Sequence, residues 1–391
     1  MKTLFQRISS IKKLLRLGKG LALVTSGNTL ASLLGGIFWF LIATIMPVED
    51  YGLLNYHISI ATVASLVSVL GLNTVIVNFV PKGNLAIRNE SIRLSFFSAL
   101  ITSFVTFFLI GSFTTSLLLL ALNLFTMSWS NAIGSKSYKN YFFRMVAQRS
   151  SQVTVSILLY FYLGTDGLLL GFAITNLAFS YDIFKFLKLN FRFAELKKKS
   201  TFILHSYAQS LSTNLSLYLD KLLIAPIFGF GTLGLYQISF QFLMLLSLIP
   251  LSLYQFLLPR ESVQRQNNNF AFIGIGLAVI AASVFFFLIP FIVNVLFPKF
   301  TESIEPSKIM ILGVIPWTIT AVLNSKFVGR ERTRPVVVGS LVYMGLLLFS
   351  IVVLGSIFGI IGLSFSVLIS LTGQCAILLL FSRHNKLNVI P

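Results

Sequence analysis

Polar residues interrupt this chain rarely, and where they do they come in knots. From Leu21 to Ser382, long apolar stretches alternate with short clusters of Gly, Pro, Lys and Arg. A hydrocarbon layer of about 30 Å takes about 20 helical residues to cross. With glycine, proline and charge as punctuation, the pattern predicts twelve spans: 21–46, 53–80, 94–111, 114–133, 144–163, 167–187, 202–228, 233–258, 271–297, 307–329, 335–355 and 359–382. The first twenty residues read differently. Leu4, Ile8, Ile11 and Leu15 recur at helical spacing with Arg7, Lys12, Lys13 and Arg16 between them, which fits an amphipathic helix on a membrane surface as well as an unstructured basic tail. The stretch that follows is too long for the apolar core of a signal peptide and lacks its small-residue end.

Composition agrees with the pattern. Apolar residues make up 56% of the chain and charged residues 10%, and the mean hydropathy is +0.88, against about 25% charged residues in a soluble domain. The expected fold class is an all-α polytopic membrane protein. The net charge of +19 does not point to nucleic acid, because the cations lie in short clusters between apolar runs and not on one soluble face. Of the 30 Lys and Arg, 27 fall in every second connection, from the N-terminal group to Arg383 and Lys386. The opposite connections hold Lys299 and Lys308 beside Glu302 and Glu305, together with Glu49, Asp50 and Asp166. By the positive-inside rule, twelve spans with both termini cytoplasmic follow. The remaining cation, Lys221, lies inside a span. Cys375 is the lone cysteine, so no internal disulfide is possible.

The basic stretch at 187–200 divides the chain into halves. The domain reading is a cytoplasmic segment at 1–20, an N-lobe at 21–187, a linker at 188–201, a C-lobe at 202–382 and a tail at 383–391. The halves echo one another. A shift of 182 lays residues 42–59 over 224–241 and Gly52 over Gly234, a shift of 178 lays Pro81-Lys82 over Pro259-Arg260, and "AIGSK" at 132–136 pairs with "VLNSK" at 322–326. Two six-helix repeats of one orientation imply a pseudo-two-fold axis along the membrane normal, as in alternating-access transporters.

Three segments carry a resemblance: "SGNTLASLLGGIFWFLIATIMPVEDYGLLNYHISI" (26–60), "GLNTVIVNFVP" (71–81) and "LDKLLIAPIFGFGTLGLYQIS" (219–239) with a later Pro259. In these the chain resembles the Wzx-type flippases of lipid-linked oligosaccharides, of the superfamily that includes the multidrug and toxin extruders. The resemblance implies two lobes in a V. It also implies export of a polyprenyl-diphosphate-linked glycan, such as an O-antigen or capsular repeat, across the bacterial inner membrane, alongside other polysaccharide-assembly proteins.

Polar residues inside spans are the candidate chemistry, since an ionisable group there costs a few kcal/mol and faces a bundle interior or a water-filled cavity. His205, Gln209, Ser212, Ser216 and Asp220 succeed each other at steps of three and four, which predicts one continuous polar stripe along the seventh span, as the wall of an aqueous cavity requires. Helical neighbours point about 100° apart, so Asp220 and Lys221 are not expected to pair face to face, and one of them is expected to find a partner on another helix, or water. Asp220 reads as a coupling site for H⁺ or Na⁺, as a gate, or as half of a structural salt bridge. Lys221 reads as an anion contact or a counter-ion. Arg144 and Arg149 start the fifth span, where they suit a diphosphate or anchor the helix; Lys326 offers the same choice. Asn28 shares a face with Thr25, Ser32 and Gly35 and suits packing or sugar hydroxyls. Pro316 is expected to kink the tenth span.

Two further classes compete with a flippase. A drug exporter of the same superfamily would favour carboxylates in its cavity. A membrane glycosyltransferase or polymerase would need acids on large outer loops, which are absent, and no Walker sequence G-x-x-x-x-G-K-[ST] occurs. The expectation is therefore a transporter and not an enzyme, with no cofactor beyond a coupling ion.

Overall fold

The computed structural model describes residues 2–187, 193–262 and 268–384. All regular structure in them is helical: α1 (Lys2–Ile45), α2 (Val48–Val69), α3 (Leu72–Phe79), α4 (Leu85–Ile110), α5 (Phe113–Gly134), α6 (Tyr138–Ala178), α7 (Ala194–Lys197), α8 (Ser200–Asn214), α9 (Leu219–Leu246), α10 (Leu248–Ser262), α11 (Asn268–Leu296), α12 (Ile304–Ile311), α13 (Val314–Gly329) and α14 (Arg334–His384). Among the described residues, nine helical stretches are long and apolar enough to cross a membrane.

Three of the nine are divided by a single glycine: Gly164 (φ 59°, ψ −140°) in α6, Gly229 (φ 87°, ψ 165°) in α9 and Gly359 (φ 58°, ψ −137°) in α14. An L side chain rarely adopts these angles. Past Gly164 the chain returns along itself: a methyl group at Gly167 would overlap the Leu159 carbonyl, and one at Gly171 would lie 2.5 Å from the Ser156 Cα. Past Gly359 it does the same, with Gly362 on the Leu354 carbonyl and Gly339 against Leu378. Gly164 and Gly359 are 195 positions apart, as are Gly167 and Gly362. The same hairpin is thus built twice.

Residues up to Phe38 and from His57 to Leu215 form one compact unit, and Trp39–Tyr56 with the residues from Ser216 onward form another. The core of the first includes Val69, Leu72, Ile76, Ile87, Leu124 and Ile183. Its interior also holds a polar triad in which the Asn123 amide donates to Ser68 Oγ (2.7 Å) and the Ser95 hydroxyl donates to Asn123 Oδ1 (2.9 Å). The short α7 is clasped to this unit: Asn84 donates to Glu195 (2.9 Å), and Glu90 accepts from the Leu196 N–H (3.0 Å). Lys198 and then Asn84 hold the Glu195 carboxyl below its ordinary range.

In the second unit Tyr51 meets Phe300 edge-on at 5.6 Å, Phe40 meets Phe242 at 5.3 Å, and Val322, Leu323 and Phe327 pack with Leu257 and Leu378. Here α2 crosses α9 through a reciprocal contact. A methyl at Gly52 would overlap the Phe230 carbonyl, and one at Gly234 would overlap the Val48 carbonyl. Both members of the second pair are shifted by 182 from the first, so the aligned glycines of the internal echo sit against each other's helices. Small residues permit this approach where hydrophobic attraction between helices is weak.

Several expected spans are broken. The second breaks at Leu70 and Gly71, both left-handed (φ 54° and 70°). The seventh breaks where α8 gives way to a 3-10 turn at Leu215–Leu217 before α9. The tenth is interrupted between Ile311 and Val314. Pro316 therefore sits in the first turn of α13, where its missing N–H costs nothing, and does not kink a continuous helix. The weakest echo is also re-registered. Lys136 (φ 57°) and Glu331 (φ 60°) close α5 and α13 in the same way, with Ser137 N–H on Ala132 O and Arg332 N–H on Phe327 O, both 2.8 Å. The equivalent of 132–136 is thus 327–331, again 195 positions on, and not 322–326.

The hairpins make a sharp test. G167V and G362V should each abolish the monodisperse peak of detergent-purified protein in size-exclusion chromatography, because backbone has to move. G345A, where nothing lies within 4 Å, should change stability by less than about 0.5 kcal/mol.

Candidate functional site

In the first unit α1 runs parallel to the first limb of α6, and the pairing is set by small residues. Tyr138 packs on Gly20 and Phe142 on Gly27, and the Tyr141 hydroxyl donates to Asn28 Oδ1 at 2.5 Å. Farther along, the Arg149 guanidinium lies against Gly35, with Nε 3.6 Å from where a methyl would stand. Asn28 is therefore a hydrogen-bonding partner of α6. Arg149 is half-buried; its Nη1 donates to Gln152 Oε1 (3.0 Å), which also accepts from buried Gln148 (2.9 Å).

Arg144 occupies a different environment five residues earlier. It is 3% exposed and ion-paired to Asp182, which lies in the 3-10 turn Tyr181–Phe186. Ser128 of α5 bonds to both partners, and the Phe179 carbonyl accepts a further bond at 3.4 Å. The guanidinium thus ties α5, α6 and the turn together. The partner is far away in sequence, and the only sign of it there was an acid inside a predicted span.

The remaining candidates of this unit sit on α8, where His205 and Gln209 are exposed. The side chains of Ser212 and Ser216 lie outside the described residues, as do those of residues 2–19. Because α8 ends at Asn214, the polar stripe does not run straight on to Asp220.

In the second unit, the break before α9 changes the chemistry of Asp220 and Lys221. Both are buried, at 1% and 4% exposure, and they pair with each other at 3.1 Å. The expectation that they would not pair with each other fails because Asp220 stands in the first turn of α9. There its Oδ1 accepts the Lys221 backbone N–H (2.9 Å), while the Lys221 ammonium reaches back to the Leu217 carbonyl (2.8 Å) and the same carboxylate. Beyond the Gly229 break, Tyr236 donates to Asp220 Oδ2 at 2.7 Å, and the Phe240 ring, stacked on Tyr236, lies 4.6 Å from the ammonium. Positions 220 and 236 are nearly equidistant from Gly229, the signal that could have revealed this partner. Lys326 of α13 is also buried, within electrostatic reach of buried Glu261 on α10.

A second polar group escaped the sequence reading. His57 Nδ1 lies 2.7 Å from Thr115 Oγ1, and Thr114 donates to Asp166 at 2.6 Å. Among the described residues, no three His, Cys, Asp or Glu cluster as metal ligands do.

No family model matches the chain, and no curated protein matches it by sequence. Solved structures do match by shape. A lipid II flippase, MurJ, in an inward closed conformation superposes with a TM-score of 0.69 at 14% identity, over 92% of this chain and 87% of that one. The inward-facing conformation of a multidrug resistance MATE family transporter of the MOP superfamily gives 0.69 at 13% identity, over 91% and 94%. An outward-facing one gives 0.56 at 12%, over 96% of both chains. The chain has their fold.

A thermodynamic cycle tests the buried pair. D220N and K221M alone should each destabilise the protein by about 3 kcal/mol, since each leaves the other member uncompensated. The double variant should recover much of that loss in thermal unfolding monitored in detergent, whereas additive losses would show that the two residues act independently.

Proposed function

We propose that the protein is a flippase that moves a polyprenyl-diphosphate-linked oligosaccharide, an O-antigen or capsular repeat, from the inner to the outer leaflet of a bacterial cytoplasmic membrane by alternating access. The observation that carries this reading is Arg149. Arg144, Lys221 and Lys326 are buried, and the first two are bound to carboxylates of their own units. Arg149 is partly exposed on α6, with its guanidinium steered by the Gln152 amide and lying against Gly35 of α1. A guanidinium so presented can take a diphosphate through two parallel N–H···O bonds. The fold shared with a lipid II flippase supports a lipid-borne cargo.

The same fold supports a multidrug exporter, but the charges favour an anion. The two acids that fall in the spans expected from the sequence, Asp182 and Asp220, are each committed to a cation, which leaves them poorly placed for a cationic drug. Dividing the nine apolar stretches at Gly164, Gly229 and Gly359 yields twelve passes. With the hairpin repeated at 195 positions, this supports two six-helix lobes, and the basic clusters support cytoplasmic termini. In this reading the protein is not an enzyme and binds no cofactor. An H⁺ or Na⁺ gradient drives it through Asp220, the ion displacing Lys221 from the carboxylate. Its partners are its lipid-linked substrate, the surrounding lipids and other polysaccharide-assembly proteins, not nucleic acid.

The test is leaflet accessibility of a labelled polyprenyl-diphosphate oligosaccharide in proteoliposomes under imposed pH and Na⁺ gradients. Wild-type protein should redistribute the label, and R149A should slow this at least tenfold while its melting temperature is unchanged. R149K, which keeps the charge but loses the fork, should fall between them. Full activity of R149A, or export of a cationic dye without movement of the glycan lipid, would overturn the proposal.

A further inference from the structure

The geometry points to a second site, a binding pocket for the headgroup of an anionic phospholipid, where α6 begins. A hollow of about 490 Å3 there is lined by Lys136, Ser137, Tyr138, Lys139, Asn140 and Phe143. Its chemistry is one-sided: among the described residues the lining holds two ammonium groups, an amide and two hydroxyls, and no acid. Lys136 belongs to the left-handed turn that closes α5, and Lys139 to the first turn of α6. The two cations are thereby carried on different elements that converge on one opening. Ser137 makes no side-chain cap, so the first N–H groups of α6 add their positive potential to that of the lysines.

The other half of the hollow is apolar. Phe143 is 64% exposed, and the Tyr138 ring is held against Gly20 of α1. A cationic rim beside an exposed aromatic, at the end of an apolar span, matches a molecule whose phosphate and apolar portion are joined at the membrane surface. A free phosphate would leave Phe143 without a counterpart. The volume lies in the range of pockets that take one drug-sized ligand, which suits a glycerophosphate headgroup better than a glycan of many rings. Lysines are point charges that tolerate rotation of a phosphodiester. This separates the pocket from Arg149, whose planar fork lies farther along the same helix and faces Gly35. The inference is independent of what the protein transports.

The test uses the full-length protein in nonionic detergent, titrated with phosphatidylglycerol, phosphatidylcholine or inorganic phosphate and followed by native mass spectrometry. Phosphatidylglycerol should bind more tightly than phosphatidylcholine. K136Q/K139Q should lose roughly fivefold in phosphatidylglycerol affinity per lysine removed, while phosphatidylcholine binding is unchanged. K139E leaves the Lys136 turn intact, so it decides the matter if the double variant fails to fold; it should lose at least as much as one neutralised lysine. Undiminished phosphatidylglycerol binding in these variants would overturn the site. Inorganic phosphate binding as well as the lipid does would overturn the assignment to a lipid.

Discussion

Inside a hydrocarbon layer each backbone N–H and C=O must be satisfied within its own helix, because no water is there to replace a missing partner. Much of this structure follows from that constraint. Helices can end only where the chain can turn at once, and at Gly164, Gly229 and Gly359 it does so in backbone conformations that glycine tolerates. Helices closed in this way gain little from hydrophobic attraction, since lipid is as apolar as leucine, and so depend on close fit. Gly167 and Gly362 inside the hairpins, and Gly52 and Gly234 between α2 and α9, all lie where a methyl group would strike a carbonyl oxygen.

The same medium governs the charges. An ion without a partner costs several kcal/mol in such surroundings, and the little-exposed carboxylates of Asp182 and Asp220 each hold a cation at hydrogen-bonding range. Both pairs recruit further groups, Ser128 and the Phe179 carbonyl in one, Tyr236 and the Leu217 carbonyl in the other. They tie helices together locally and leave the acids little attraction to offer a cationic cargo. Arg149, partly exposed, bonded to an amide and lying on Gly35, anchors the functional reading.

The repeat shows how far inspection of an apolar sequence reaches. The 182-residue echo around Gly52 and Gly234 was visible because a turn glycine and its flanking residues recur in register. The 195-residue echo was missed in the sequence, although Gly164 and Gly167 stand at the same interval from Gly359 and Gly362. Its neighbouring residues are interchangeable apolar ones that carry no register, so only backbone conformation shows the match. The motif at 132–136 was accordingly paired with 322–326, a similarity of letters, and not with 327–331, which shares its left-handed turn and hydrogen bonds.

By itself the sequence determined that this is a helical membrane protein, roughly where its apolar helices fall, and which few polar residues must be explained. Those properties depend on hydropathy and charge, which add up locally along a chain. Which residues meet was decided by the tertiary structure alone. Asp220 pairs with its neighbour because a break before α9 places it in a first turn, and it gains Tyr236 because the chain breaks at Gly229. Arg144 finds Asp182 across a separation of 38 residues. Such contacts depend on where helices stop and how they pack, and hydropathy does not encode that.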